Sequence, residues 1–363
     1  FEQQNNFLIV INNGSLTIND SGTNGKISSA DYGIQLRSNS SLTLNGGAIE
    51  TVQEAIDLYT SVSNVDVLIA GGSVTSTEDS VMNVRGSTGI NVQITGGEMV
   101  SNGRTAFYVS SYQEHAIAIS MTGGSVEHNN GRSGAFQIYS GAHVTIGGDA
   151  TISADYVALQ LQAGVSSSAL DITGGTISSE SRTGAIVSTE DDATLTISGG
   201  EFNSSGVVLD ASEDSNVIID GSGVEISGEL SGNATLTVNN GASMTVIEEL
   251  EMSSTSKMVN NGTIDFEVTP EGAQDSNLTG SGIIIGYEGE GFADSIKVGG
   301  ESISADDSNF EQIITSMNEN PGMFSGITQV TVTEDVTITD LVQIPEGINV
   351  STDYVFIVDP VDE

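Results

Sequence analysis

Leu170-Asp171-Ile172-Thr173-Gly174-Gly175-Thr176-Ile177 is one statement of a phrase that recurs nine times between residues 16 and 240: two alternating apolar residues, a glycine turn, one more apolar residue. Leu42-Thr43-Leu44-Asn45-Gly46-Gly47-Ala48-Ile49 states it earlier, and Val92-Gln93-Ile94-Thr95-Gly96-Gly97 opens it again. Glycine pairs begin at Gly46, Gly71, Gly96, Gly123, Gly147, Gly174 and Gly199, at steps of 25, 25, 27, 24, 27 and 25 residues. A period of this size marks a stacked repeat, in which no unit buries its own apolar side and each coil is the core of its neighbour.

Each period holds three apolar positions, named here walls A, B and C. Wall A precedes the glycines and carries Leu42 and Leu44, Val67 and Ile69, Val92 and Ile94, and so on to Leu195 and Ile197. Wall B follows them with Ile49, Val74, Met99, Val126, Ile152, Ile177 and Phe202. Wall C carries Ile34 and Leu36, Ile56 and Leu58, Met82 and Val84, Phe107 and Val109, Phe136 and Ile138, Leu159 and Leu161, then Val207 and Leu209. Period-two alternation places each of these inside and its neighbour outside. The expected fold is all-β: a right-handed, single-stranded parallel β-helix with three strands per coil and about 10 to 11 coils. The glycine pair fits a corner that needs positive φ and leaves no room for a side chain beneath the next coil.

After Gly199 the steps shorten to about 20 residues, with Leu236, Val238, Met244 and Val246 inside one coil and Ile264, Phe266 and Val268 inside the next. The β-helix is assigned to residues 1–270. Residues 271–363 are assigned to a small α+β cap or to the start of a second β-helical module. There, Phe310, Ile313, Ile314 and Met317 have helical spacing, with Asp306, Asp307 or Ser308 as the expected cap, and Gln329–Val332 and Val336–Ile338 alternate as strands.

Composition narrows the function. Only 8 Lys and Arg stand against 49 Asp and Glu, a formal charge of −41 that repels nucleic acid and anionic lipid. There is no cysteine for disulfides, thiolate catalysis or Cys-ligated metal. No apolar run reaches the roughly 18 residues of a membrane span, so no direct membrane insertion is expected. The chain reads as a piece of a longer precursor, extracellular, on the cell surface or secreted.

The phrase Ala193-Thr194-Leu195-Thr196-Ile197-Ser198-Gly199-Gly200-Glu201-Phe202 resembles the repeats of right-handed parallel β-helix proteins, and more closely those of adhesin-like cell-surface proteins of anaerobic bacteria. The resemblance covers about residues 10 to 270. It implies the fold, and some members of the adhesin-like group are called carbohydrate-binding. The same superfold houses pectate-lyase-like polysaccharide lyases and hydrolases, whose acidic cluster with a nearby basic residue has no counterpart here that transfers residue by residue.

The outward side of wall C is the candidate binding face. One column runs Gln35, Asp57, Asn83, Tyr108, Gln137, Gln160, and the next Arg37, Tyr59, Arg85, Ser110, Tyr139, Gln162, with Arg104, Arg132 and Arg182 just before the strand. Five of eight basic residues thus gather on one face. Asp57, Tyr59, Asn83, Arg85, Arg104, Tyr108, Arg132, Gln137 and Tyr139 are the ligand-binding candidates, because tyrosine rings flanked by amides and guanidinium groups suit a sugar face. The competing reading makes Asp79–Arg104 and Arg132–Asp155–Arg182 a charge ladder, and the Asn and Gln columns amide ladders. His115, His128 and His143 fall at different phases and read as solvated loop residues rather than a metal site. The turn Asn19–Gly25 and the pair Glu78-Asp79 are the places a structural calcium ion would suit; no other cofactor is expected. Asp191-Asp192 and Asp306-Asp307 are adjacent acids in turns, and no serine, histidine and aspartate share a phase. The expected function is a non-enzymatic extracellular module of a bacterial surface protein, a stalk making adhesive or glycan contact, its partner a glycan or a host or cell-surface protein. The alternatives are a polysaccharide lyase or hydrolase on the same face and a pure spacer.

Overall fold

A computed structural model describes residues 7–20, 25–59, 61–111, 113, 116–130, 133–162, 167–180, 186–188, 193–204, 208–212, 214–287, 289–298 and 302–358. The chain is a parallel β-solenoid of about 12 turns among these residues, nearly all strand, with one short α-helix. It divides into two compact units, one of residues 1–218 and 227–235, the other of residues 219–226 and 236–363.

The first unit stacks three parallel ladders. In wall A, Leu42 pairs with Val67, Val67 with Val92, Val92 with Ile119, Ile119 with Val144, Val144 with Leu170 and Leu170 with Leu195. Wall B aligns Ile49, Val74, Met99, Val126, Ile152, Ile177 and Phe202. Wall C aligns Ile34, Ile56, Met82, Phe107, Phe136, Leu159, Ile186 and Leu209. Nearly all of these side chains are fully buried, so the columns expected from alternation are the core. Inside wall C the rings of Phe107 and Phe136 stack at 4.4 Å between centroids.

The last rungs of wall C differ from the expected frame. Leu209 pairs with Ile186 and Ala211 with Ser188, so Leu209 opens its doublet rather than closing it. The Ile186 rung escapes the apolar pattern because Ser188 occupies its second position. Val207 lies outside the described residues.

The glycine pairs divide two jobs. A Cβ on Gly96 would sit 2.5 Å from the carbonyl oxygen of Ala70 in the coil below, while Gly97 has φ +86°. Because both residues can take this bend, the strand Thr88–Ser101 runs through the corner from wall A into wall B.

A second device lies inside the B-to-C corner. Ser76, Ser101, His128, Ala154 and Ser179 form one column. Ser76 Oγ donates to the carbonyl of Gln53 at 2.9 Å, Ser101 Oγ to that of Asp79 at 3.1 Å, and Ser179 Oγ to that of Tyr156. His128 Nε2 meets the carbonyl of Arg104 at 3.0 Å. Contrary to the solvated position expected of it, His128 is fully buried. Burial pushes its imidazole pKa down, which keeps it neutral, with Nε2–H as the donor. Each hydroxyl or ring pins the turn that leads into wall C one coil below. Ala154 has no such donor, so the turn 129–135 is not held this way.

In the second unit the repeat is 20 residues: Met244 pairs with Ile264, Ile264 with Ile284, and Met258 with Leu278. The ladder after the glycines is kept, and further along an isolated parallel bridge joins Glu251 to Glu271. Val268, expected inside, is 38% exposed because it lies beyond the strand Thr263–Phe266. Pairing stays parallel further on: Ser302–Ala305 with Gln329–Val332, that strand with Asn349–Thr352, and Val336–Ile338 with Phe356–Val358. The helix Phe310–Glu319 buries Phe310, Ile313, Ile314 and Met317 against Ile303, Val330 and Val336. Asn309 stands at its N-cap without a side-chain cap bond; Asp306 instead binds Ser308, which leaves none of the expected capping side chains in that role.

Candidate functional site

The outer face of wall C holds the expected column. Gln35 pairs with Asp57, Asp57 with Asn83, Asn83 with Tyr108, Tyr108 with Gln137 and Gln137 with Gln160. At its centre is a groove of about 620 Å³, all of it in the first unit, and its size is that of a small-ligand site. Asn83, Arg85, Arg104, Tyr108, Gln137 and Tyr139 line it, six of the nine candidates. Asp57 stands beside Asn83 in register, outside the lining. Tyr59 lies further along the face, 53% exposed, with Arg37 over its ring at 5.5 Å. Arg132 lies outside the described residues, as do Arg182, His115 and Asp191-Asp192.

Aromatic and cationic groups form one side of the groove. The rings of Tyr108 and Tyr139 lie 5.0 Å apart between centroids, and the Arg85 guanidinium sits 4.9 Å over Tyr108. The stacked Phe107 and Phe136 beneath fix the spacing of the residues above them. The two rings are tilted by 37° to each other, a stepped aromatic surface with the Arg85 guanidinium over one of its faces.

Polar groups left without partners form the other side. Five buried side-chain oxygen or nitrogen atoms lack a hydrogen bond among the described residues, and three of them line this groove: Glu54 Oε2, Asn83 Oδ1 and Ser133 Oγ. Asn83 is only 5% exposed. A buried acceptor without a partner costs about 1–3 kcal/mol, and a ligand donor recovers it. Burial pushes the Glu54 carboxyl above its usual range and Asp79 pushes it the same way, while Arg85 pulls it back. Asp57 is raised by burial and held down by Gln35, whose Nε2 donates to Asp57 Oδ2 at 3.1 Å, and by Arg85.

The competing readings separate. Asp79 and Arg104 make no ion pair within 4.0 Å; the two pairs among the described residues are Lys26–Glu50 and His143–Asp171, both at 2.5 Å. His143 therefore lies on wall A rather than in a loop. Amide ladders do exist: Asn39 donates to Asn13 and Asn64 to Asn39, each at 3.1 Å, and Gln137 donates to Gln160 at 3.0 Å. Gln137 itself lines the groove, while Asn13, Asn39 and Asn64 do not, and neither ladder satisfies the groove's three unpartnered atoms.

Sequence reasoning missed Glu54, Ser80, Thr105, Asn130 and Ser133 as lining residues. The signal was positional. Glu54, Ser80 and Thr105 each stand two residues before the first inward residue of wall C, at Ile56, Met82 and Phe107. Among the described residues no three His, Asp or Glu side chains gather closely enough to hold a metal ion. Residues 21–24 of the Asn19–Gly25 turn lie outside the described residues. Comparison with protein-family models, curated proteins and solved structures found no match.

Proposed function

We propose that this chain is an extracellular β-solenoid module of a bacterial surface protein that displays wall C for glycan contact. One observation carries the reading: a groove in which the Tyr108–Tyr139 platform faces buried polar atoms without partners. Sugars combine an apolar ring face with a rim of hydroxyls, and the two sides of the groove match those two chemistries. The solenoid acts as stalk and display surface, its acidic surface keeping it solvated and unattractive to nucleic acid. A glycan array tests this, with Tyr108→Ala and Tyr139→Ala as controls. Binding that both variants lose supports it, and binding that survives both removes the groove from the account.

A second reading, a polysaccharide-cleaving enzyme in the same groove, draws on Glu54. Burial and a neighbouring acid raise the Glu54 carboxyl, the direction in which a general acid is tuned. New reducing ends or unsaturated products from a polysaccharide, absent with Glu54→Gln, favour it. A pure spacer remains if neither assay responds.

A further inference from the structure

We infer that the exposed edge strand Phe356–Val358 takes an extended segment of a partner protein as an added strand, one with apolar residues at alternate positions and lysine or arginine on either side. Among the described residues this strand pairs on one side only, with Val336–Ile338. Val336 is fully buried, but Phe356, its partner in register, is 37% exposed, and Val358, the partner of Ile338, is 72% exposed. Two apolar columns thus run out of cover at one rung. A further strand with apolar residues two apart would cover both, and its backbone would meet the outer N–H and C=O groups of the edge.

The surroundings are already shaped for side chains. Beside the edge lies an apolar pocket of about 570 Å³, all of it in the second unit, whose lining includes Phe310, Ile338, Leu341, Val350, Phe356 and Val358. The loop that supplies Leu341 is tied to the helix Phe310–Glu319 at two points. Thr339 and Asp340 donate their backbone N–H groups to Glu311 Oε1 at 2.6 and 3.1 Å, and Asn318 Nδ2 donates to the carbonyl of Gln343 at 2.7 Å. A loop fixed in advance adds little ordering cost to binding.

Charge selects the occupant. Residues 299–363 hold 13 Asp and Glu and no Lys, Arg or His. Asp340 lines the pocket, Asp353 is exposed just before the edge strand, and Asp335 Oδ1 accepts the N–H of Val355 at 2.9 Å. A second copy of the chain would bring the same acids against these, whereas basic flanks on a partner segment meet them with opposite charge.

The test is fluorescence anisotropy of the whole chain with a labelled peptide, Val-Thr-Val-Thr-Val between pairs of lysines, and three counterparts: glutamates for the lysines, serines for the valines, and N-methyl groups on the backbone amides. The first peptide is expected to bind at least about tenfold more tightly than each of the others. Val358→Ser, at an already exposed position, should weaken its binding about tenfold, whereas Leu8→Ser, which removes an exposed apolar side chain from the first unit, should leave it unchanged. Equal binding of the serine peptide reduces the contact to diffuse attraction by the acidic surface, and equal binding of the N-methylated peptide shows that no strand is added; either overturns the inference. Equal binding of the glutamate peptide overturns the basic partner, and failure of all four to bind overturns the docking edge. Sedimentation of the chain alone reads the other occupant: a dimer that Val358→Ser dissolves puts a second copy on the edge and overturns the partner segment.

Discussion

Replacing Asp210 with Asn tests how burial on wall C acts on the charge of the chain. Asp210 occupies the same outward column as Asp57, three rungs beyond Gln137, and pairs in register with Glu229. Burial, with Glu229 adding to it, pushes its carboxyl from 3.8 up to about 6. Two units correspond to about 3 kcal/mol, but the group is only half-buried, so solvent screening brings the expected cost nearer 1 kcal/mol. The sign follows from proton uptake. Between pH 3.8 and about 6 the folded chain binds the proton that the unfolded chain has released, so stability falls as pH rises through this window. Below it both states are protonated and the cost vanishes. Asp210→Asn should therefore raise the unfolding midpoint by about 2 °C at pH 7 and leave it unchanged near pH 3.5. Far-UV circular dichroism at the two pH values reads this directly. Glu229→Gln should give a smaller gain at pH 7, since burial outranks the neighbouring charge. A gain of equal size at both pH values would refute the linkage, and no gain at pH 7 would refute the burial of the charge.

Other perturbations probe separate parts of the fold. Gly175→Val should destabilise strongly, because its φ is +89° and a Cβ would stand 2.7 Å from the carbonyl oxygen of Ala150; Gly97→Val, at φ +86°, should do the same, both read by thermal unfolding. Gly228→Ala should be worse at the same assay, its Cβ falling 1.8 Å from the carbonyl oxygen of Leu209. His128 is buried neutral with its pKa lowered, so its contribution is fully present above the unfolded value of 6.5 and is lost as pH falls below it; a His128→Ser variant should flatten that acid limb of the stability curve. Asn39→Ala breaks the amide ladder on both sides and should cost about 1 kcal/mol in denaturant titration.

The stacking of the fold was legible because a parallel solenoid turns sequence spacing into geometry. Leu42, Val67 and Val92 had only to be apolar, alternating and 25 residues apart for their column to follow. What escaped were residues whose role depends on the coil below. His128 looks like any polar residue at the end of a strand, and only its place in a column of small serines reveals a side chain turned inward. The rung at Ile186 was hidden by Ser188. Val268 is apolar yet outside, because the alternation that carries Ile264 and Phe266 inward stops with its strand.

The groove exists because the repeat is broken at one place while its columns are kept. The turn between walls B and C has four residues at 52–55, five at 77–81, five at 102–106, seven at 129–135 and again four at 155–158. The longest turn carries Asn130 and Ser133 to the edge of the face; Ala154 gives it no donor from the column above, and the carbonyls of Gly134 and Ala135 accept from Thr105 Oγ1 instead. The coils below supply Glu54, Asp79 and Arg104 from turns whose carbonyls, or those beside them, are tied down by Ser76, Ser101 and His128. Regular coils set the pitch at which Tyr108 and Tyr139 meet, and the irregular turn walls the space beside them. A spacer needs only the regular coils. Asn130 and Ser133 from the longer turn stand beside buried polar atoms that lack partners, an arrangement that the stacking of coils by itself does not require.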